Sequence, residues 1–368
     1  MKRKRVFLYA YNAANLGDDL FIHTITRRYP DVQFYIWAKP ENRVSFASIV
    51  NLKALDPDSG VIRMLSGIRS SFAARYKTWH EKHCDAVVYI GGSLFIEYES
   101  WPMILNWWEY AARQYPFYVL GANFGPYQSE AYRARLETIF EQTQDVCFRD
   151  RYSRDKFAKC SKVRCAPDIL FSYPIPNVEV REKQVFISVI HCGQKGEGSR
   201  NLGEYRKGYV ASMAQSIQGY LQEGYVCVLA SFCRMEGDEI AIREILEAAG
   251  IAMDDARIRI LCYDGTNADE MVREIAQSAQ VIASRFHAAI LGLAAGNWVF
   301  PVVYSDKTIR VLDDIGFDGK IADIRSQKII THEQLREGFG CADAQKINEW
   351  RQGAHRHFAV LDRTLGRE

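Results

Sequence analysis

Residues 284–287, Ser-Arg-Phe-His, carry two chemically active side chains directly after an apolar run, residues 281–283. The run is typical of a buried strand, and a helical pattern begins at Ala288. An arginine beside the amino end of a helix favours an anion, because both present N–H groups and positive charge. His287 can donate or accept a proton near neutral pH. The pattern therefore predicts an anion site at Arg285 with an acid–base group next to it.

Three more cations follow apolar runs elsewhere in the chain. Arg149 and Arg151 come after one such run, and Lys307 comes after another. These cations are candidates for the same anion, and guanidinium groups in particular suit phosphate or carboxylate. A structural interpretation is also open, because Asp150 can pair with the arginines and Asp306 can cap a helix that leaves Lys307 solvated.

Two loops rich in small residues also follow apolar runs. The residues of interest in them are Asn15, Gly17, Asp18, Gly91, Gly92 and Ser93. Glycine lets a backbone approach a ligand closely, and Asn15 or Asp18 could hold a ligand hydroxyl. Helix capping explains the first loop equally well. Neither loop has the pattern G-x-G-x-x-G, so the sequence predicts no dinucleotide site of that kind.

Short apolar strands alternate with helical patterns along the chain. The predicted strands are residues 6–11, 32–37, 86–90, 117–120, 146–148, 163–165, 185–190, 226–231, 257–261, 280–283 and 299–304. Strands that are apolar on both sides and separated by helices belong to parallel sheets. Residues 173–183, with two prolines, read as a linker. We therefore predict an α/β protein whose two Rossmann-like domains, residues 1–175 and 184–325, face each other across a cleft.

The composition is that of a globular protein. Of the 368 residues, 48% are hydrophobic and 25% are charged, which argues against long disordered or fibrous segments. Lysine and arginine total 47 against 45 acidic residues, a net charge of +2 that gives no indication of a nucleic-acid partner. The nine cysteines include no C-x-x-C pair, so they predict free thiols in a reducing compartment. The scattered histidines predict no metal site.

The sequence also bears on membranes. No segment approaches the roughly 20 apolar residues of a membrane span, and the amino terminus lacks the apolar stretch of a signal peptide. We therefore expect a cytoplasmic protein. Basic residues between Arg63 and Lys82 leave peripheral contact with the inner face of a membrane open, although a solvated helix face explains them too.

An ordered set of motifs is similar to that of the polysaccharide pyruvyl transferase family, over residues 6–316. The motifs are N-L-G-D near residue 15, G-G-S at 91, G-x-x-x-G-P at 121, F-R-D at 148, A-P-D at 166, S-R-F-H at 284 and Y-S-D-K at 304. Three positions depart from the family pattern. Ser93 stands where a third glycine is commoner, Phe286 where leucine is commoner, and His191 where an arginine is expected.

The resemblance implies a fold like that of GT-B glycosyltransferases and a reaction with phosphoenolpyruvate. Members of the family move the enolpyruvyl carbons of this donor onto two hydroxyls of a sugar, which gives a cyclic pyruvate ketal and free phosphate. No cofactor or metal is implied, because fixed cations can stabilise the leaving phosphate. The helical segment at residues 326–368 is expected to pack back on the cleft or on the N-terminal domain.

The resemblance implies that Arg285 and His287 sit at the donor site, and the chemistry of the reaction suggests roles for the other candidates. The candidate donor-binding residues are Ser284, Arg285, Phe286, Lys307, Arg149 and Arg151, with one of the last two arginines supplying a further cation. His287 is the implied acid–base group, and Asp18 would orient or deprotonate the acceptor hydroxyl. The implied acceptor-binding residues are Asn15, Gly17, Gly91, Gly92 and Ser93. The acceptor would be a sugar or a lipid-linked oligosaccharide.

Two alternatives to this function remain at the level of sequence. A nucleotide-sugar-dependent GT-B glycosyltransferase would use an acidic residue for the nucleotide ribose, and the candidates are Glu236, Asp238 and Glu239. A non-catalytic sugar-binding or scaffolding protein is the other alternative. The presence of Arg285, His287 and Lys307 together argues against it.

Overall fold

A computed structural model shows an α/β protein and describes residues 3–56, 59, 72–193, 202–326 and 329–367. The chain forms two compact units. Unit 1 comprises Met1–Ala13, Asp18–Ile169 and His355–Glu368. Unit 2 comprises Ala14–Gly17 and Leu170–Ala354. None of the described helices is long and apolar enough to cross a membrane.

Unit 1 is built on a parallel sheet of seven strands in the order β3-β2-β1-β4-β5-β6-β7 once they are numbered along the chain. The strands are β1 (Arg5–Tyr9), β2 (Gln33–Trp37), β3 (Leu52–Leu55), β4 (Ala86–Ile90), β5 (Phe117–Ala122), β6 (Asp145–Phe148) and β7 (Val163–Cys165). The described helices of this unit are α1 (Leu16–Arg28), which belongs to it from Asp18 onward, α2 (Phe72–Lys82), α3 (Trp101–Gln114), α4 (Glu130–Phe140), α5 (Arg151–Asp155) and, at the chain end, α13 (Ala359–Leu365). Every residue of β5 is buried, as expected of a strand covered on both faces.

Unit 2 is built on a second parallel sheet, of six strands in the order β10-β9-β8-β11-β12-β13. The strands are β8 (Arg181–Ser188), β9 (Val226–Ser231), β10 (Ile258–Cys262), β11 (Ser278–Ala283), β12 (Trp298–Val303) and β13 (Ala322–Asp323). Its described helices are α6 (Arg206–Gln222), α7 (Asp238–Ala249), α8 (Ala268–Gln277), α9 (Phe286–Ala295), α10 (Asp306–Asp314), α11 (His332–Arg336) and α12 (Ala344–His355). The predicted arrangement of two parallel α/β halves is therefore confirmed.

The order of the strands reverses once within each sheet, between β1 and β4 in unit 1 and between β8 and β11 in unit 2. Loops that follow the two strands at such a reversal run to opposite faces of the sheet and leave a crevice at its carboxyl edge, where ligands commonly bind. Residues 10–15 and 91–93 follow β1 and β4. Residues 284–285 follow β11. The candidate loops therefore lie at both reversal points.

Several boundaries differ from the sequence-based expectation. The strand β3, Leu-Lys-Ala-Leu, and the two-residue β13 were not predicted, because both are short edge strands without a long apolar run. Helix α1 begins at Leu16, so Gly17 and Asp18, which the sequence analysis assigned to a loop, lie inside the helix. The linker is shorter than residues 173–183, since β8 already begins at Arg181.

The division into units also differs from the predicted domains. Asn15 forms a bridge with Cys233, and the Leu16 N–H donates to the Phe232 carbonyl at 3.0 Å, so residues 14–17 belong to unit 2. The predicted helical segment 326–368 divides between the units, and residues from His355 onward belong to unit 1. These assignments depend on contacts between residues far apart in sequence.

Candidate functional site

Arg285 occupies the junction between β11 and α9 in unit 2. Its backbone is extended, and its N–H donates to the Ser188 hydroxyl oxygen at 3.1 Å. The side chain is buried and pairs with two carboxylates. Its Nε donates to Asp238 at 3.0 Å, its Nη2 donates to the other oxygen of Asp238, and its Nη1 donates to Glu236. The predicted cation is therefore held in a buried ion-pair cluster.

The two carboxylates around Arg285 have different environments. Asp238 is fully buried and also accepts the backbone N–H groups of Phe232 at 3.0 Å and Cys233 at 3.1 Å. The side chain of Glu236 is 29% exposed, and its Oε1 accepts from Asn15 Nδ2 at 3.4 Å. Asp238 is therefore fixed by the backbone, whereas Glu236 faces solvent on one side.

Burial and charge act in opposite directions on these groups. Burial lowers the pKa of Arg285, but the charges of Asp238 and Glu236 outweigh it and hold the pKa well above its ordinary value. Burial raises the pKa of Asp238, and the charge and hydrogen bonds of Arg285 only partly offset that effect. Arg285 is thus a permanent cation that has two counter-charges beside it.

His287 lies against Gly17, the second residue of α1. A Cβ added to Gly17 would fall 1.7 Å from His287 Nδ1, so only glycine leaves room for the imidazole. Asn15 fixes this turn, because its Oδ1 accepts the Gly17 N–H at 3.1 Å. The imidazole also packs edge-on against Phe286, with ring centroids 4.9 Å apart. Asn15 and Gly17, predicted from one loop, and His287, predicted from another, therefore come together within unit 2.

Other predicted residues of unit 2 have structural contacts. The buried hydroxyl of Ser284 accepts from Tyr209, which in turn accepts the Ile190 N–H at 3.1 Å. Lys307 is half-buried in the first turn of α10. His191, the departure from the family pattern, is buried with its Nε2 3.7 Å from a Glu244 carboxylate oxygen.

In unit 1, Arg149 is part of a buried polar cluster. It donates to Asp168 at 3.1 Å and to Asn123 at 2.7 Å, and both Arg149 and Asp168 are almost completely buried. A Cβ on Gly92 would fall 2.6 Å from Arg149 Nη2, so Gly92 makes room for the guanidinium. The F-R-D, A-P-D and G-G-S motifs therefore meet in one structural cluster.

The remaining predicted residues are spread over unit 1. Arg151 and Ser93 are exposed, Gly91 is buried, and Asp18 is half-buried in the first turn of α1. Burial and the charge of Asp18 both raise the pKa of Tyr89, which places Asp18 near the end of β4. The predicted donor cations thus belong to different units, Arg149 and Arg151 to one and Arg285 and Lys307 to the other.

Sequence reasoning missed the part that Glu236 and Asp238 play around Arg285. Glu236 ends the short 3-10 helix Arg234–Glu236 after β9, and Asp238 is the first residue of α7; the pattern suggested only a ribose ligand there. A buried charged residue at the end of a strand needs a counter-charge nearby. The acidic pair Glu236 and Asp238, which follows another strand, was the sequence signal that could have identified the partners of Arg285. Among the described residues, no group of three histidine, cysteine or acidic side chains is arranged to hold a metal ion.

Comparison with known proteins adds a family and a fold. The polysaccharide pyruvyl transferase family matches residues 15–306. The amylovoran biosynthesis protein AmsJ of Erwinia amylovora is 22% identical over 261 residues, which are 67% of this chain and 63% of AmsJ. The chain thus matches less than two thirds of that relative.

Solved structures resemble the chain at 11% identity. The UDP-GlcNAc 2-epimerase of Neisseria meningitidis bound to UDP-GlcNAc superposes with a TM-score of 0.56 over 98% of this chain and 99% of that one. Anabaena Alr3699/HepE in complex with UDP and glucose superposes with a TM-score of 0.56 over 99% of this chain and 98% of that one. Both have the GT-B fold, so the predicted fold class is confirmed.

Proposed function

Because the chain belongs to the polysaccharide pyruvyl transferase family, we propose that it moves the enolpyruvyl group of phosphoenolpyruvate onto two hydroxyls of a sugar. The product is a pyruvate ketal, and phosphate is released. The similarity to AmsJ, an amylovoran biosynthesis protein, supports a place in the biosynthesis of an extracellular polysaccharide. The acceptor is then a sugar or a lipid-linked oligosaccharide.

The close approach of Gly17 to His287 is the observation that carries this proposal. The two residues lie near opposite ends of the span that matches the family, residues 15–306, yet a Cβ on Gly17 would overlap the imidazole. Asn15, directly before α1, accepts the Gly17 N–H and contacts Glu236 beside Arg285. A cation and an acid–base group therefore lie in one cluster of unit 2, as the chemistry requires.

The reaction balances with these groups. A proton adds to the methylene carbon of the donor, and the first sugar hydroxyl forms a bond to the central carbon. The second hydroxyl then forms its bond there as the carbon–oxygen bond to phosphate breaks. Of the two hydroxyl protons, one offsets the proton on the new methyl group and the other leaves with phosphate. His287 moves protons, and Arg285 with Lys307 stabilises the anionic donor and the leaving phosphate.

The other site assignments are part of the same proposal. Asp18 orients or deprotonates the acceptor hydroxyl, and the Gly91-Gly92-Ser93 loop binds the acceptor. Arg149, in its buried cluster with Asp168 and Asn123, supports that loop through its contact with Gly92. No cofactor is part of the proposed reaction. A lipid-linked acceptor would place the reaction at the inner face of a membrane, in the cytoplasm where phosphoenolpyruvate is made.

The proposal is tested by phosphate release from phosphoenolpyruvate in the presence of candidate sugar acceptors, with the ketal identified by mass spectrometry. We expect acceptor-dependent release by the wild type and a loss of at least about 100-fold in His287→Ala, because general acid–base catalysis contributes roughly that factor. His83→Ala, at an exposed histidine, is the matched control. Release that is unchanged in His287→Ala would contradict the assignment.

The nucleotide-sugar alternative has a separate test. Asp238, one of its candidate ribose ligands, is fully buried and accepts two backbone N–H groups and Arg285 instead. We therefore expect phosphoenolpyruvate to raise the thermal unfolding temperature and UDP or GDP to leave it unchanged. Stabilisation by a nucleotide and not by phosphoenolpyruvate would favour the glycosyltransferase.

A further inference from the structure

We propose that Glu236 is the internal counter-ion that an incoming anion displaces from Arg285, so that Glu236 sets the affinity of the site for the donor. The identity of the anion, the phosphate or carboxylate of phosphoenolpyruvate, rests on the function proposed above. The inference itself concerns the exchange of one anionic partner of Arg285 for another. Glu236 is a positioning residue in this scheme and takes no part in proton transfer.

The charge of the cluster requires such an exchange. One guanidinium faces two carboxylates, Glu236 and Asp238, so the three side chains together carry a formal charge of −1. Arg285 is buried, where like charges repel more strongly than in water. A phosphate or carboxylate that approached Arg285 with both carboxylates in place would meet net repulsion. One of the two must therefore move away when an anion binds.

Asp238 is the carboxylate that stays. It is fully buried and accepts from the backbone N–H groups of Phe232 and Cys233 as well as from Nε and Nη2 of Arg285. Removing it from these donors would leave buried N–H groups without acceptors, which is costly. Asp238 therefore fixes the orientation of the guanidinium in both arrangements.

Glu236 is the carboxylate that moves. Its side chain is 29% exposed, so it can become hydrated when it leaves Arg285, whereas Asp238 has no exposed surface. Glu236 accepts from Nη1 of Arg285. Its other oxygen accepts from Asn15 Nδ2 at 3.4 Å, a long contact that can hold the carboxylate beside the turn of α1 after it separates from Arg285. An anion that replaces Glu236 therefore binds at Nη1 of Arg285.

A neutral isostere at this position tests the exchange. We expect Glu236→Gln to lower the KM for phosphoenolpyruvate by roughly tenfold with kcat within about threefold of wild type, because one competing charge is removed from the anion's position. Binding of phosphoenolpyruvate and of inorganic phosphate, measured by calorimetry, should tighten in parallel. Glu247→Gln, at an exposed glutamate on α7, removes the same charge elsewhere and should change neither.

Asp238→Asn provides the contrast. It should weaken binding of both anions, because Arg285 loses the partner that orients it. A collapse of kcat in Glu236→Gln would overturn the inference and make Glu236 a catalytic group. Unchanged KM and affinity in Glu236→Gln would overturn it as well.

The test separates this inference from the proposed function. Absence of acceptor-dependent phosphate release in the wild type would count against pyruvyl transfer alone. The binding measurement would still decide the inference, since tighter binding of phosphate by Glu236→Gln than by wild type and Glu247→Gln supports it. The inference is contradicted if all three proteins bind phosphate equally tightly, or if none of them binds it.

Discussion

The contact between Gly17 and His287 depends on the absence of a side chain at Gly17. The sequence predicts Gly17 as a turn residue in a candidate ligand-binding loop. In the structure its lack of a side chain lets the His287 ring lie against the backbone of α1. The glycine thus positions the proposed acid–base group.

We expect Gly17→Ala to reduce pyruvyl transfer at least about tenfold with little change in stability, because the imidazole is a side-chain terminus that can rotate away while the helix gains a better helix former. Kinetics on a double-mutant cycle checks this. In a His287→Ala background, Gly17→Ala should have no further effect, since both changes act on one group. An equally large extra loss in that background would mean that Gly17 acts on something other than His287.

At the scale of elements, two sequence motifs from different loops contact each other through their charged side chains. Asp168 of the A-P-D motif accepts from Arg149 of F-R-D. His357, in the short 3-10 helix Arg356–Phe358, donates from Nε2 to the Pro167 carbonyl at 2.8 Å, so the chain end supports the same loop. Burial and the charges of Arg164 and Arg149 lower the pKa of His357 to about 3.

This buried histidine predicts a pH dependence of stability. The ordinary histidine pKa in an unfolded chain is about 6.5, so between that pH and about 3 the unfolded state binds the proton that the folded state does not. Stability therefore falls as pH falls through this window, by up to about 1.4 kcal/mol per pH unit from this group. His357→Gln, which keeps an N–H for Pro167, should flatten the dependence.

Urea unfolding between pH 7 and about 4.5 measures this effect. His83→Gln, at an exposed histidine, serves as the control and should follow the wild-type curve. Parallel curves for wild type and His357→Gln would show that His357 is not the group responsible.

At the scale of the whole molecule, the chain leaves unit 1 at Ile169, forms unit 2 and returns at His355. The return is anchored on α1 and on the residue that follows it. Asp362 of α13 accepts from Arg28 at 2.7 Å and from the Tyr29 hydroxyl at 2.7 Å. Phe358 packs edge-on against Tyr29, with ring centroids 6.2 Å apart.

We expect Asp362→Ala to lower the free energy of unfolding by about 2 kcal/mol, because it leaves a partly buried arginine and a tyrosine hydroxyl without their acceptor. Arg363→Ala, at the exposed neighbouring position on the same helix, should change it by less than about 0.5 kcal/mol. Chemical denaturation of both variants checks this. Equal stability of Asp362→Ala and wild type would show that the chain end is held by its apolar contacts alone.

The amino-acid sequence by itself determined the alternation of strands and helices, the two parallel sheets and the candidate functional loops. These features depend on local patterns: apolar runs form buried strands, and glycine, proline and polar residues interrupt them. The family resemblance followed from the order of the same loops. The edge strands β3 and β13 were not predicted, because strands this short contain too few residues to show an apolar pattern.

Only the tertiary structure decided which charges meet. It assigned Asp238 and Glu236 to Arg285, Asp168 to Arg149 and Gly17 to His287. Sequence reasoning proposed Arg285 and Arg149 for one anion, yet each arginine has a buried acidic partner. The reason is physical: a buried charge must be neutralised close by, and the partner that does so is fixed by the packing of strands and helices far apart along the chain.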